Sequence, residues 1–217
     1  MKKIIIIDGG PRKTFNTATM LQHIADGARS VSADIELDTI RLYDLQYRGC
    51  MSCMACKLKG KAVNVCKYKD ALTPVLQQVA EADGLVMGSP IYFSEVTALL
   101  RAFLERLIFP WLSYNDYSLT APKRIPVLLT YTMNATEQQA QMAYQSMAVI
   151  ENCLQRAMQS VEHVDAYNTY QVTHYDRYEL ASFPEPMKRA YRDAHWEADL
   201  QRAYEAGQHM AQTVMKK

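Results

Sequence analysis

Residues 2–8, KKIIIID, form an unbroken β-branched run, the pattern of a strand buried on both faces. GGPRKTFNT follows, and then Leu21, Ile24, Ala25 and Ala28 fall on one helical face, with Asn16 or Thr17 as the expected N-cap. The alternation repeats along the chain. DIELDTIRL (34–42) predicts a second strand, and after a cysteine-bearing loop the spacing predicts a helix from about Lys69 to Ala82. GLVMGSP (84–90) predicts a short buried strand, and Val96, Leu99, Leu100, Phe103 and Leu107 mark the helix after it. RIPVLLTYT (124–132) is a fourth strand, followed by a helix from about Glu137 to Ser160. VEHVDAYNTYQV (161–172) predicts a weaker fifth strand with a polar extension. Leu200, Ala203, Tyr204, Met210 and Val214 predict an amphipathic closing helix.

Five β-α units whose strands lack a wet face predict a parallel sheet with helices on both sides. At 217 residues, with no internal repeat or Pro/Gly/Ser linker, the expectation is one domain over residues 1–217. PWLSYNDYSLTAP (110–122) is the one long connection, and its aromatics predict a packed lid or a subunit contact. With 24 basic and 23 acidic residues the formal charge is +1, which argues against a nucleic-acid partner. The isoleucine run is cut off at once by Asp8, two glycines, Pro11 and Arg12, so it is too short for a signal peptide. No stretch approaches bilayer length, and the expected compartment is the cytoplasm, where thiols stay reduced.

In an open parallel sheet, ligands bind where strand C-termini meet helix N-termini. The first such turn, residues 9–17, lacks both GxGxxG and GK[ST]. It offers glycines, a helix start with free N–H groups, Thr14, Asn16 and Thr17 as neutral donors, and Arg12 as a cation. That set suits a phosphate, or simply a capped helix after a tight turn. SPIYFSEV (89–96) and TYTMN (130–134) end the third and fourth strands at the same edge. Pro90, Tyr92 and Phe93 can cover a flat aromatic ring, and a polar edge beside them suits flavin mononucleotide (FMN) better than a free anion.

GGPRKTFNT resembles the GSPRxxxNT phosphate turn of the NAD(P)H-dependent flavin reductases with a flavodoxin-like fold. GSPIYFSEVTALLRAFLERL (88–107) is similar to their flavin-covering segment, GSPIY and a helix ending K/R-x-F-[ILM]-[DE]-R. The match runs through residues 2–132 in order, with Gly10 standing where the family usually has serine. The resemblance implies a flavodoxin-like three-layer α/β sandwich with a five-stranded parallel sheet. It implies that Gly10, Arg12, Thr14, Asn16 and Thr17 bind the FMN phosphate, and that Pro90, Ile91, Tyr92 and Phe93 line the ring with Ser94 at its edge. Thr132, Met133 and Asn134 join them by turn position. Arg101 and Arg106 are expected in ion pairs with Glu105 or neighbouring helices. The implied reaction passes electrons from NAD(P)H through FMN to a quinone, flavin or other small acceptor, in a homodimer. Hydride transfer to a flavin demands no protein acid or base, so no catalytic residue is assigned.

GCMSCMACKLKGKAVNVC (49–66) holds four of the five cysteines, spaced C-x2-C-x2-C with nine residues between Cys56 and Cys66. Three thiolates from one loop suit a [4Fe–4S] cluster, and the related iron–sulfur flavoproteins carry such a run with a closer fourth cysteine. Zinc would call for a second separated pair, and three cysteines in a row blur a thioredoxin-like reading. The balance leans toward packed or redox-responsive thiols. The alternative is an iron–sulfur flavoprotein or flavodoxin-like electron carrier with a cluster on Cys50, Cys53, Cys56 and Cys66. Lys57, Lys59 and Lys61 nearby would favour thiolate. Cys153 lies in a helical pattern and reads as core, and the five histidines show no metal-binding spacing.

Overall fold

The computed structural model describes residues 1–59 and 64–216, so Lys61 lies outside the described residues. Five strands, β1 (Lys2–Asp8), β2 (Ile35–Arg41), β3 (Gly84–Pro90), β4 (Pro126–Thr132) and β5 (Ser160–His163), form one sheet in the order β2-β1-β3-β4-β5. All pairings are parallel. This is the doubly wound order of the flavodoxin-like fold, with its switch point between β1 and β3. The connecting helices are α1 (Asn16–Val31), α2 (Thr73–Glu81), α3 (Ala98–Ile108), α4 (Glu137–Ala157) and α5 (Glu185–Met215).

The unbroken apolar strands are explained by two cores, one on each face. Ile5, Ile7, Leu85, Met87, Val127 and Leu129 pack with side chains of α2, α3 and α4. Ile4, Ile6, Val86 and Leu128 face the other way, against α1 and α5. The four isoleucines of β1 are at most 1% exposed, and burying each is worth about 1.5–3 kcal/mol relative to exposure.

Several boundaries differ from the sequence reading, each for a local reason. The second helix begins at Thr73 because the Asp70 carboxylate accepts the Leu72 N–H (3.0 Å) and binds Arg106 (2.5 Å), turning the chain before Pro74 starts the helix. Residues 109–111 make a 3₁₀ turn with Trp111 buried, and Leu112 bridges Leu119. The 110–122 connection therefore packs beside α3 and contributes no wall to the cavity described below. Cys153 is half-buried against the core, as expected. The fifth strand stops at His163, and only one further bridge, Thr132 to Ala166, continues its line.

His163 sits at the end of that short strand between two carboxylates, Glu151 (3.4 Å) and Asp165 (3.5 Å). The Asp165 carboxylate also accepts the Tyr131 N–H (2.7 Å) and the Tyr144 hydroxyl (2.5 Å). Burial alone would lower the imidazole, but the hydrogen bonds and charges of Asp165 and Glu151 outweigh it and push its pKa up to about 9. On the opposite face, α5 crosses α1 so closely that a Cβ on Gly207 would overlap the Ile24 carbonyl.

Two outcomes follow for stability. Gly-to-Ala inside a helix ordinarily stabilises by about 1 kcal/mol, whereas Gly207→Ala is expected to destabilise by about 1–3 kcal/mol through overpacking; urea denaturation reads the sign. For His163, the folded pKa lies above the unfolded one, so its contribution is complete below about pH 6.5 and lost as pH rises through about 9. The stability gap between wild type and His163→Gln should therefore narrow by about 2–3 kcal/mol between pH 6 and pH 10; a constant gap in denaturation curves across that range would refute the charged pairing.

Candidate functional site

At the C-terminal edge of the sheet, a cavity of ≈ 290 Å³ opens between the β1–α1 turn, the ends of β3 and β4, and residues 169–171. Of the residues expected from the sequence, Gly10, Arg12, Asn16, Thr17, Pro90, Ile91, Tyr92, Thr132 and Asn134 line it. Thr14 is exposed and is not part of the lining. Phe93 is fully exposed and Ser94 stands beside it, both outside the lining and both at positive φ (51° and 63°). They are the centre of a tight turn closed by paired hydrogen bonds between Tyr92 and Glu95 (2.8 and 3.0 Å). Met133 is 3% exposed and belongs to the core, because the strand's two-residue period turns it away from its neighbours Thr132 and Asn134.

The first turn of α1 carries no side-chain cap. Phe15 occupies the N-cap position, and the first amide bonded back into the helix is that of Thr19, to the Phe15 carbonyl (2.9 Å). The amides of Asn16, Thr17 and Ala18 thus lack intrahelical acceptors, as at any helix start, and their partial positive charge faces the cavity end of the turn. The two side chains expected to cap instead tie distant segments together. Asn16 Nδ2 donates to the Tyr170 carbonyl (2.7 Å), and the Thr17 and Thr132 hydroxyls share a hydrogen bond (2.7 Å).

Gly10 is explained by what lies beneath it. Its N–H donates to Asp8 Oδ1 (2.8 Å), and a Cβ there would come within 3.0 Å of the same oxygen. Burial raises the Asp8 carboxyl, while the Gly10 amide and the Arg41 guanidinium (3.2 Å) oppose that shift without cancelling it. Serine at position 10 would crowd this buried acid. One amide of the turn is accordingly committed to the protein.

The far wall is what sequence reasoning missed. Thr169, Tyr170 and Gln171 line the cavity, as do Pro11 and Phe15. The signal was the polar stretch NTYQ inside an assumed strand, which marks where pairing ends. Asn168 N–H donates to the Ala135 carbonyl (2.8 Å) and Thr169 N–H to that of Met133 (3.0 Å), so the segment wraps onto the β4–α4 turn. Arg12 stacks on the Phe15 ring (4.5 Å) and donates to the Gln171 carbonyl (2.5 Å), holding a cation at the rim. Two residues that line this cavity, Asn134 and Gln171, each carry a buried side-chain oxygen with no hydrogen-bond partner among the described residues. Side-chain amides left so are costly unless a ligand or water meets them. Unmet amides, a rim cation, a bare helix start and apolar cover from Pro90, Ile91 and Tyr92 fit a phosphate-bearing planar heterocycle such as FMN.

The cysteine loop lies elsewhere. Cys50, Cys53, Cys56 and Cys66 all line one small space of ≈ 10 Å³ beside Arg106. Among the described residues, no three Cys, His, Asp or Glu side chains are grouped closely enough to hold a metal ion. The loop is held from outside. Arg106, 1% exposed, donates to the Arg48 carbonyl (3.1 Å), the Tyr68 carbonyl (2.8 Å) and Asp70 (2.5 Å). Glu105 pairs with neither arginine; its carboxylate accepts the Cys50 N–H (3.1 Å), and Arg101 lies 3.7 Å from Glu95. Lys57 turns its ammonium onto the carbonyls of Phe109 (2.5 Å) and Leu112. Burial therefore dominates at Cys56 and raises its thiol, contrary to the thiolate expected from the lysines.

Comparison with known proteins adds three findings. The family model described as NADPH-dependent FMN reductase matches residues 2–168. An iron-sulfur flavoprotein of Methanocaldococcus jannaschii is 34% identical over 104 residues, covering 48% of this chain and 51% of that protein; one of Archaeoglobus fulgidus is 31% identical over 163 residues, covering 75% and 74%. The chain thus spans about half the length of the first relative and about three quarters of the second. The structure of NAD(P)H:quinone oxidoreductase from Methanothermobacter marburgensis superposes with a TM-score of 0.66 at 14% identity, covering 95% of this chain and 96% of that one, which speaks to the fold.

Replacing Asn16 by Ala together with Thr17 by Val removes two neutral hydrogen-bonding groups and unties the 169–171 wall and β4. FMN binding is expected to weaken by about 1–3 kcal/mol, with the circular dichroism unchanged. An unaltered affinity in a fluorescence titration would move the cofactor away from this turn.

Proposed function

The chain belongs to the NADPH-dependent FMN reductase family, and we propose that it binds FMN non-covalently in this cavity and oxidises NAD(P)H. The electrons then pass to a small-molecule acceptor such as a quinone or a free flavin. The observation that carries the reading is one cavity lined together by an uncapped helix start, the Arg12 cation and the apolar cover of Pro90, Ile91 and Tyr92.

When bound, the flavin supplies the chemistry, taking two electrons as hydride and releasing them to the acceptor. The protein's part is to hold and orient. The α1 amides with Thr17 and Arg12 receive the phosphate beside Gly10. Pro90, Ile91 and Tyr92 give apolar cover, while Thr132, Asn134 and Gln171 meet the polar edge. Tyr92 is 47% exposed, so one side of the cavity stays open to a second molecule, as a reductase needs. The turn at Phe93 and Ser94 follows Tyr92, and its fully exposed Phe93 suits a contact with a second copy in a homodimer. We further propose that the acceptor is small, since the mouth is bounded by side chains of this chain.

A second reading has its own observation. The four cysteines of the 50–66 loop line one small space. Although no three of them stand at metal-holding distance among the described residues, four cysteines on one loop are the donor set of an iron–sulfur cluster, which would make the chain an electron carrier. A single preparation separates the two. Purified anaerobically and loaded with FMN, the protein is expected to show a two-banded flavin spectrum that bleaches when NADH or NADPH is added in stopped flow. No bleaching with either nucleotide sinks the reductase reading, and about four iron and four sulfide per chain would establish the carrier.

A further inference from the structure

Five charged residues of this protein are less than 10% exposed among the described residues: Asp8, Arg106, Asp165, Lys188 and Asp199. Four are paired with opposite charge. Asp8 meets Arg41, Arg106 meets Asp70, Asp165 meets His163, and Asp199 meets Arg202. Lys188 is the exception. At 3% exposure, its ammonium donates to the Asn134 carbonyl (3.0 Å) and to Asn168 Oδ1 (2.5 Å), both neutral, with the Phe183 ring 5.4 Å away. Burial pushes its pKa down to about 8, and no carboxylate opposes that shift.

The placement of this cation is as informative as its isolation. Asn134 belongs to one wall of the cofactor cavity, and its side-chain oxygen is one of the two left unpartnered there. Asn168, at φ 49°, leads directly into Thr169, Tyr170 and Gln171, the other wall. Lys188 therefore ties the two walls together, through Asn134, which lines the cavity, and Asn168, the residue before Thr169. It lies beyond residues 2–168, the span shared with the family model. A buried charge that meets only neutral groups is disfavoured, and a negative charge arriving in the adjoining cavity relieves it.

We propose that Lys188 is a positioning residue whose charge favours the two-electron-reduced, anionic form of the bound cofactor over the oxidised form, and so sets the potential at which electrons leave. This rests on the FMN reading. The bookkeeping is simple: hydride from NAD(P)H brings two electrons and one proton, NAD(P)⁺ departs, and the neutral ring system gains one negative charge. The cofactor's phosphate is ionised in both redox states. A cation answering only the phosphate would strengthen both forms equally and leave the potential where it was. Only a cation answering the charge gained on reduction changes the ratio.

The test uses FMN-loaded wild type, Lys188→Gln and Lys188→Arg, with the midpoint potential measured by anaerobic dye equilibration and the affinity for oxidised FMN by fluorescence. Gln keeps a donor for Asn134 and Asn168 but loses the charge; Lys188→Met serves if the Gln variant does not fold. In the neutral variant the affinity for reduced relative to oxidised FMN is expected to fall about tenfold, which lowers the two-electron midpoint by about 30 mV. The Arg variant is expected to stay near wild type. An unchanged midpoint in a folded neutral variant overturns the proposal, as does an equal loss of affinity for both redox forms. Failure of the wild type to bind FMN at all would instead overturn the reading of the cavity.

Discussion

A buried threonine ties the switch point of the sheet together, and the cavity exists because of it. Thr97, 1% exposed, donates its hydroxyl to the Gly9 carbonyl (2.7 Å) and its N–H to Ser89 Oγ (3.0 Å), while its oxygen caps α3 by accepting the Leu100 N–H (3.3 Å). Gly9 in turn donates to the Gly88 carbonyl (2.8 Å). The β1 turn, the end of β3 and the start of α3 are thereby held in one arrangement before any ligand arrives. Each of these bonds adds only about 0.5–1.5 kcal/mol net, but leaving one of the buried partners unmet costs about 1–3 kcal/mol. That asymmetry is why three segments distant in sequence meet with little freedom. A preorganised edge lets amides, hydroxyls and aromatic cover converge without ordering costs at the moment of binding.

The sheet was legible because its strands are buried on both faces. A run such as Ile4 to Ile7 has one stable environment, between two helical layers, and its neighbours in the sheet read the same way. Where burial thins out, legibility fails. β5 is an edge strand of four residues with no buried position, so the residues after it could not be told from a strand by hydropathy. They turned out to be the far wall of the site. Turn geometry was equally hidden: Phe93 and Ser94 at positive φ, Met133 in the core and Thr14 on the surface all lie outside the cavity lining. Motif position carries the location of a turn. It does not carry the direction of each side chain.

Charge placement divides the molecule in a way that hydropathy cannot express. Arg106 and Lys188 are both buried, both donate to backbone carbonyls, and both clamp loops to helices. Arg106 has Asp70 to neutralise it and completes a closed structural unit. Lys188 has neutral acceptors only, and its charge acts on whatever occupies the neighbouring cavity. The difference lies in a single carboxylate, present in one case and absent in the other among the described residues.

The cysteine loop follows the same logic. Ser52 and Met54 hold positive φ (52° and 56°) between the first three cysteines, a conformation costing non-glycine residues about 1–2 kcal/mol each. Such strain persists only where surrounding contacts over-determine the backbone. Those contacts are visible: Glu105 on the Cys50 amide, Arg106 on residues 48, 68 and 70, and the Lys57 ammonium on the carbonyls that follow α3. One sulfur joins them, because the Arg106 guanidinium also hydrogen-bonds with Cys66. The described part of the loop is thus shaped chiefly by helix α3, whose Arg106 reaches both the loop backbone and the Cys66 thiol.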